Sequence, residues 1–554
     1  MKNIIVKGVL TLCLTGCFAS CNFLDIDSLN SYTEDNVFND YALTEAYVTK
    51  HYTLLRNGFN QYATRMVTDE CMCNFNQMAW GYPHDIVNGY MTPDFLGGYD
   101  TWSEYYKNIR DCNIFFKNKD KFAQFAKEEQ DLLIGEMTFF RAYYYMDLVS
   151  RFGGVPYITD VFELDDPNMM LPRNSYEECV EKIAAEFKKA AELLPEKQTG
   201  ENFGRVTKGA ALAMRSRLLL YAASPYWNPD NDVKKWDLAA KAAEEVLSLD
   251  YQLDSDYKGL FLNPHSPEII FERLYTTEYG AEWVDQKNSP NGMGGWSATC
   301  VLQDMVDSYE MEDGTMPDPS KYATATSDPW KGRDPRFYAS IGCDGYMYRN
   351  RPLEFWISED GKKGGQDSKL GDYEGWNATQ TGYIMRKFMD EELIPDGTNW
   401  TVNSKQPWIY CRLGEIYLNY AEAMYHCGEE GVARFYVNEI RKRARGGRTD
   451  ILPDIPETVT GNELLEKIQH ERKIELAFEE HRFFDIRRWK IAEDVMNKPG
   501  KGIMITKKDN GEKSYSIITV QADRKFVSPN HYLLPIPRSE IQKNNLLKQN
   551  PGYK

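Results

Sequence analysis

A chain of 554 residues with a formal charge of −18 could make several domains at the usual ~100–200 residues each, yet no low-complexity or Pro/Ser-rich linker divides it. So acidic a surface repels nucleic acid and anionic lipid headgroups, which sets the chain apart from binders of polyanions. Eleven cysteines, none in a C-x-x-C pair, are too few in so long a chain for a disulfide framework and read as buried free thiols outside the N-terminal region.

The first twenty residues carry Lys2 and Lys7, then an apolar run from Val9 to Leu14, then small residues up to Cys21. This is the pattern of an export signal over residues 1–20. The run is short of the about 20 apolar residues a permanent membrane helix needs, and no later segment is apolar for that long. Two cysteines sit where a bacterial lipoprotein signal is cut: Cys17 after Leu14, Thr15 and Gly16, and Cys21 after Phe18, Ala19 and Ser20. Small residues fit a narrow peptidase cleft and the thiol accepts the lipid. The first triplet is closer to the usual lipobox, whereas the second leaves a fuller apolar core. More than one acyl chain would hold the protein to a membrane, which a single chain does only marginally. Residues 21–40 then form a lipid-anchored tether, and residues 41–554 read as one interleaved body.

Ser175 with Glu178 forms a capping box, and Val180, Ile183, Ala184, Phe187, Ala191 and Leu194 follow on one face until Pro195 stops the run. A second helix is predicted from about Thr207 to Ala223. A third runs from Trp236 to Leu249 with Ala239, Ala242 and Val246 on one stripe. Small residues at that spacing let helices pair closely, as in tetratricopeptide-like hairpins. Residues 279–406 lose the periodicity and become rich in Gly, Pro, Asn, Asp and Trp; long irregular stretches of this kind are usually functional, and the aromatics argue against disorder. Helical spacing returns from Leu413 to Ala444, through Leu418, Ala421, Tyr425, Gly428, Ala433, Val437 and Ile440. The expected fold is mostly α: a tetratricopeptide-like helical scaffold packed against a loop-rich half with few short strands.

Glu471, Glu475 and Glu479 recur at four-residue spacing beside Arg472, Arg482, Arg487 and Arg488. A di-metal bundle site wants Glu-x-x-His, and none of the seven histidines has a glutamate three residues before it. The cluster reads as a structural ion-pair network that fastens the last long helix. No G-x-S-x-G, P-loop or H-E-x-x-H motif is present, and Gly292 to Gly295 reads as a turn. Two carboxylates are all a glycosidase needs, so the 83 acidic residues leave that chemistry open, but no catalytic residue, metal or cofactor is assigned.

Several segments together resemble the SusD/RagB family of outer-membrane nutrient-binding lipoproteins of Bacteroidetes: Cys21 to Asp25 followed by Tyr32 to Phe38, Gly135 to Pro156, Thr207 to Ala211, Asp334 to Phe337, Arg412 to Ala423, Val437 to Arg441, Glu471 to Trp489, and Leu534 to Pro537 with Asn550 to Tyr553. The match at Cys21 favours Cys21 over Cys17 as the lipidated residue. The resemblance implies four tetratricopeptide-like units against a loop-rich half that carries the ligand site. It also implies a SusC-like TonB-dependent transporter as partner, oligosaccharides or polysaccharide as the usual ligands with peptides in the RagB branch, and binding rather than catalysis.

A sugar ring presents C–H groups on one face, so an indole or phenol can stack on it while its edge hydroxyls reach Asn, Asp, Gln or Arg. Trp80 and Tyr82 lie in a turn-rich stretch with Asn76 and Gln77; Trp283 and Trp296 lie in another, flanked by Asn288 and Asn291. Trp330, Trp356, Trp376 and Trp400 fall in later loops, whereas Trp102, Trp236, Trp408 and Trp489 sit on amphipathic or signature segments and are expected in the core. The family resemblance points to the first two regions, so Trp80, Tyr82, Trp283 and Trp296, with Asn76 and Asn291, are the expected ligand-binding residues.

Overall fold

The computed structural model describes residues 33–60, 62–75, 82–163, 166–276, 283–324, 328–393 and 404–554. Cys17, Cys21, Asn76, Gln77, Trp80 and Trp400 lie outside those residues.

Among the described residues nine long helices carry the structure: α1 Tyr41–Leu54, α2 Trp102–Lys117, α3 Lys127–Phe152, α4 Tyr176–Leu193, α5 Lys208–Ala223, α6 Val233–Leu247, α7 Leu413–His426, α8 Glu430–Ala444 and α9 Gly461–Glu475. From α2 to α9 each packs on the next, which makes four successive helix pairs, and α1 lies on α3. The third pair, α6 with α7, is split by the excursion 248–412, so the loop-rich region is inserted into the scaffold.

Local chemistry sets the helix ends. Ser175 Oγ accepts from the Glu178 amide at 3.1 Å while the Glu178 carboxylate accepts from the Ser175 amide at 2.8 Å, the reciprocal box expected at α4. Helix α6 starts at Val233 rather than Trp236 because Asp232 caps it, accepting from Lys234 N at 3.0 Å. The turn between α7 and α8 is made by Gly428 at φ +88°, a conformation that glycine adopts without strain. Trp102, Trp236, Trp408 and Trp489 are all buried. All eight cysteines among the described residues are free thiols, seven of them buried.

An antiparallel ladder between Ile269–Arg273 and Trp408–Arg412 joins the beginning and end of the excursion. Three further pairs are short, Cys71–Cys73 with Thr299–Val301, Ile341–Cys343 with Tyr383–Met385 and Met347–Tyr348 with Arg351–Pro352, while the hairpin Gly500–Lys507 with Lys513–Gln521 is longer and has Ile357–Ser358 parallel against it.

The glutamate cluster is a buried ion-pair network, but its partners are not the arginines beside it in sequence. Arg336 reaches Glu471 at 2.5 Å and Glu475 at 3.0 Å, Arg441 reaches Glu471 at 3.1 Å, Arg412 reaches Glu475 at 2.6 Å and Glu479 at 2.7 Å, and Lys387 reaches Glu479 at 2.6 Å. The cations come from α8 and from the excursion. Arg472, Arg482 and Arg488 pair instead with Asp485, Asp69 and Glu422, and Arg487 donates to the carbonyls of His531 and Phe483. Glu479 is not on the helix face: α9 ends at Glu475, and Phe478 and Glu480 at φ +66° and +69° turn the chain so that Glu479 faces Arg412.

This network predicts the acid limb of stability. Burial pushes the Glu479 carboxyl up, but Arg412 and Lys387 outweigh it and hold the group below its ordinary 4.5; burial and then Arg488 and Arg472 act in the same way on Glu422. Carboxylates lowered in the folded state stabilise above the unfolded value and lose that contribution as pH falls from there through the folded value. Burial also lowers His481 and His531 from 6.5 to about 4, so their contribution is lost between those values. Burial raises Glu70 to about 8, an opposing term complete once pH has fallen below 4.5. The melting temperature is therefore expected to fall steeply below about pH 4.5, in scanning calorimetry from pH 7 to 3.5; an unchanged midpoint at pH 3.5 would contradict the assignment.

Candidate functional site

The loop that carries Trp283 and Trp296 is held from behind by a buried carboxylate. Asp285 accepts from Ser404 Oγ at 2.6 Å, Gln406 Nε2 at 2.8 Å and the Asp390 amide at 2.9 Å, which ties the short helix Val284–Asn288 to two other segments. Burial raises the Asp285 pKa, offset in part by Ser404 and Gln406. Trp283 precedes that helix at φ +58° with its side chain 42% exposed.

The Gly292–Gly295 turn then returns the chain. A Cβ at Gly295 would lie 2.1 Å from the Ser289 carbonyl oxygen, so only glycine allows the strands of the turn this close. Three bonds register the return: Trp296 N to Gln286 O at 3.1 Å, Ser297 N to Ser289 O at 2.9 Å and Ala298 N to Lys287 O at 2.7 Å. The two indoles end 6.5 Å apart between centroids with planes at 87°, an apolar corner.

Asn74, just past the Cys71–Cys73 strand, fastens this corner to a third loop. Its side-chain amide donates to the carbonyls of Trp296 at 3.2 Å, Asn377 at 3.3 Å and Ala378 at 3.2 Å. That places the Gly375–Asn377 turn against the Trp296 loop, with Trp376 68% exposed. Glu374 and Ser297 stand at φ +35° and +46°. With Trp283, three non-glycine residues in left-handed backbone bracket one patch, each at a cost of about 1–3 kcal/mol; such strain concentrates at ligand-clamping loops.

The other expected residues take different places. Tyr82 is half-buried and begins the helix Tyr82–Val87; its ring stacks on Tyr62 at 6.0 Å and meets Phe95 edge-on at 5.4 Å. His84 of the same helix bonds the Cys73 carbonyl at 2.9 Å, so Tyr82 stands beside the strand that leads into Asn74. Asn291 is buried, its amide donating to the Tyr373 carbonyl at 2.9 Å and the Ser368 carbonyl at 3.3 Å; Asn288 is likewise buried and donates to Val284 O at 2.9 Å. Both amides shape loops rather than face solvent. Trp330 is core, donating to Tyr383 Oη at 3.2 Å, and Trp356 is half-buried under Lys507. Trp376 carries no stronger signal in the sequence than these, only its place in a Glu-Gly-Trp-Asn stretch, and Asn74 carries none.

The arrangement presents flat apolar faces in an open, polar-edged surface, which suits stacking on a ring-shaped solute. Asn74→Ala is expected to leave buried carbonyls unpaired at a cost of about 1–3 kcal/mol and to speed amide exchange at Trp296 and Ala378 in mass-resolved hydrogen exchange. Unchanged exchange there would show that Asn74 does not fasten the loops.

The SusD family model matches residues 267–553, and a second, described as starch-binding associating with outer membrane, matches residues 22–220. SusD-like protein P2 of Formosa agariphila is 27% identical over 461 residues, 82% of this chain and 80% of that protein. A SusD-like protein of Bacteroides fragilis superposes with a TM-score of 0.77 at 28% identity, over 94% of this chain and 99% of its own. A SusD-like carbohydrate binding protein of the same species gives a TM-score of 0.76 at 26% identity, over 92% of this chain and 100% of its own. With the family model spanning more than half of its residues and the same fold along almost its whole length, the chain belongs to the SusD family.

Proposed function

We propose that this protein captures oligosaccharide or polysaccharide at the outer surface of a bacterial outer membrane and hands it to a SusC-like TonB-dependent transporter. The observation that carries the reading is the right-angled pair Trp283 and Trp296, with Trp376 exposed on the adjoining turn. Indoles held at a surface by loops bonded from behind are suited to sugar faces; a peptide site would rest on backbone donors and acceptors. The description of one B. fragilis relative as carbohydrate-binding supports the same ligand class.

Two stacked aromatics at roughly 2 kcal/mol each and a few weak hydrogen bonds, less the cost of ordering the sugar, leave about 4–6 kcal/mol. That is a dissociation constant of roughly 0.05–1 mM, suited to capture and release and strengthened by repeated sites on a polymer. Affinity electrophoresis through gels containing a panel of polysaccharides should show retardation by at least one. No retardation by any glycan, with peptide binding seen by calorimetry, would overturn the reading, and cleavage of the polymer on long incubation would point to an enzyme.

The tether belongs to the same proposal. The N-terminal family match begins at residue 22, directly after Cys21, which supports Cys21 as the lipidated residue. Among the described residues no helix is long and apolar enough to cross a membrane. Cys21→Ala is expected to abolish fatty-acid labelling in the producing cell; labelling that persists would return the role to Cys17.

A further inference from the structure

A separate cleft of about 670 Å³ opens between α1, the turn at residues 201–205 and the end of the Ile269–Arg273 strand. Its wall includes a buried carboxyl oxygen with no hydrogen-bond partner, Oε2 of Glu272. The residue is 6% exposed. Buried polar groups are almost always paired, so an orphan of this kind calls for an explanation. Tyr52, Phe203, Tyr275 and Tyr410 line the same cleft.

Charged groups face the cleft from each element. Glu45 comes from α1, Glu201 and Arg205 from the turn, and Arg273 from the strand itself. Arg205 is already engaged by Glu45 and by Glu136 behind it, each at 2.6 Å. Arg273 lies 5.1 Å from the Tyr275 ring centroid and donates to the Leu55 carbonyl at 3.4 Å. With Glu272 ionised, four carboxylates stand against two guanidiniums, so the site is short of positive charge. Aromatic faces favour a cation as well.

We propose that this cleft binds a ligand bearing a primary ammonium group, with Glu272 as its counter-ion and the tyrosine and phenylalanine rings as its walls. The empty site keeps the carboxyl protonated, because burial raises it to about 8. On binding, Oε2 gives its proton to solvent and accepts an N–H of the ligand. A lysine side chain and an amino sugar share this chemistry. The inference stands apart from the glycan reading and uses none of its residues.

The test is calorimetry on the mature protein with two ammonium probes, Nα-acetyl-lysine methylamide and glucosamine, each against its neutral counterpart, the norleucine amide and glucose. At least one ammonium probe is expected to bind at least tenfold more tightly than its neutral counterpart. At pH 6.5 buffers of different ionisation enthalpy should report about one proton released per ligand, and the lysine probe's affinity should rise up to about tenfold per pH unit from 6 to 8. Glu272→Gln should weaken binding at least tenfold and abolish the proton release without lowering the melting temperature, since the Oε2 it replaces has no hydrogen-bond partner to lose. Binding by the lysine probe alone would identify a peptide source, and by glucosamine alone an amino-sugar source. Failure of both probes, equal binding by the neutral counterparts, or binding that survives in Glu272→Gln would overturn the proposal.

Discussion

Replacing Glu475 with alanine is expected to lower the free energy of unfolding by about 3–5 kcal/mol, the range for breaking a buried charge cluster from one side. The carboxylate is fully buried and takes Arg412 at 2.6 Å on one oxygen and Arg336 at 3.0 Å on the other, with Arg443 also on the first. Its loss leaves Arg412 with Glu268 and Glu479, and Arg336 with Asp334 and Glu471, so neither guanidinium is orphaned. Three cations nevertheless lose one shared anion in a place water does not reach. The cost extends beyond α9, because Arg336 and Arg412 belong to the excursion and Arg443 to α8. The measurement is the urea midpoint with its slope: a lower midpoint at unchanged slope is expected. A midpoint within experimental error of the parent would mean that the network contributes little beyond its desolvation cost. Glu475→Gln should fall close to the alanine variant, since charge rather than volume is what the arginines need.

Substituting both Trp283 and Trp296 by alanine is expected to abolish glycan retardation in affinity gels, a loss of at least 100-fold from two stacking faces of roughly 2 kcal/mol each. Trp283, 42% exposed, should cost little stability when replaced. Trp296 is half-buried and its backbone amide, not its ring, registers the turn, so its replacement should cost no more than about 1–2 kcal/mol. Trp376→Ala should weaken retardation by a smaller factor, as a single face on the neighbouring turn. A double variant that is retarded like the parent would remove the tryptophan corner from the site, and one that melts far below the parent would place Trp296 in the core instead.

The scaffold was legible in the sequence because its signals are local. The Ser175 and Glu178 box and the alanine stripe of α6 each act within a few residues, and each appears where spacing predicted it. The glutamate cluster was legible as a network but not in its partners. Spacing along α9 cannot show that Arg336 and Arg412, more than sixty residues away in the chain, close on Glu475, nor that the helix ends before Glu479. The candidate site was legible only as two stretches of loop. Trp283 and Trp296 do meet, because a glycine turn of the kind read at residues 292–295 folds one back on the other. Asn291 looked equally polar and equally close, yet it is buried with its amide on the Tyr373 carbonyl. A polar residue in a loop serves either the ligand or the loop, and composition does not separate the two. Trp376 is brought to the patch by long-range contacts of its loop, such as the bond from Asn74 to the Asn377 carbonyl, which spans 303 residues of sequence.

The most direct test of the account is a crystal structure of residues 33–554 with the oligosaccharide that affinity gels identify. A pyranose face is expected on Trp283 or Trp296 at van der Waals distance, about 3.5–4.0 Å, with hydroxyls turned to the polar edges of the loops. A sugar bound elsewhere, with both indoles uncovered, would contradict it.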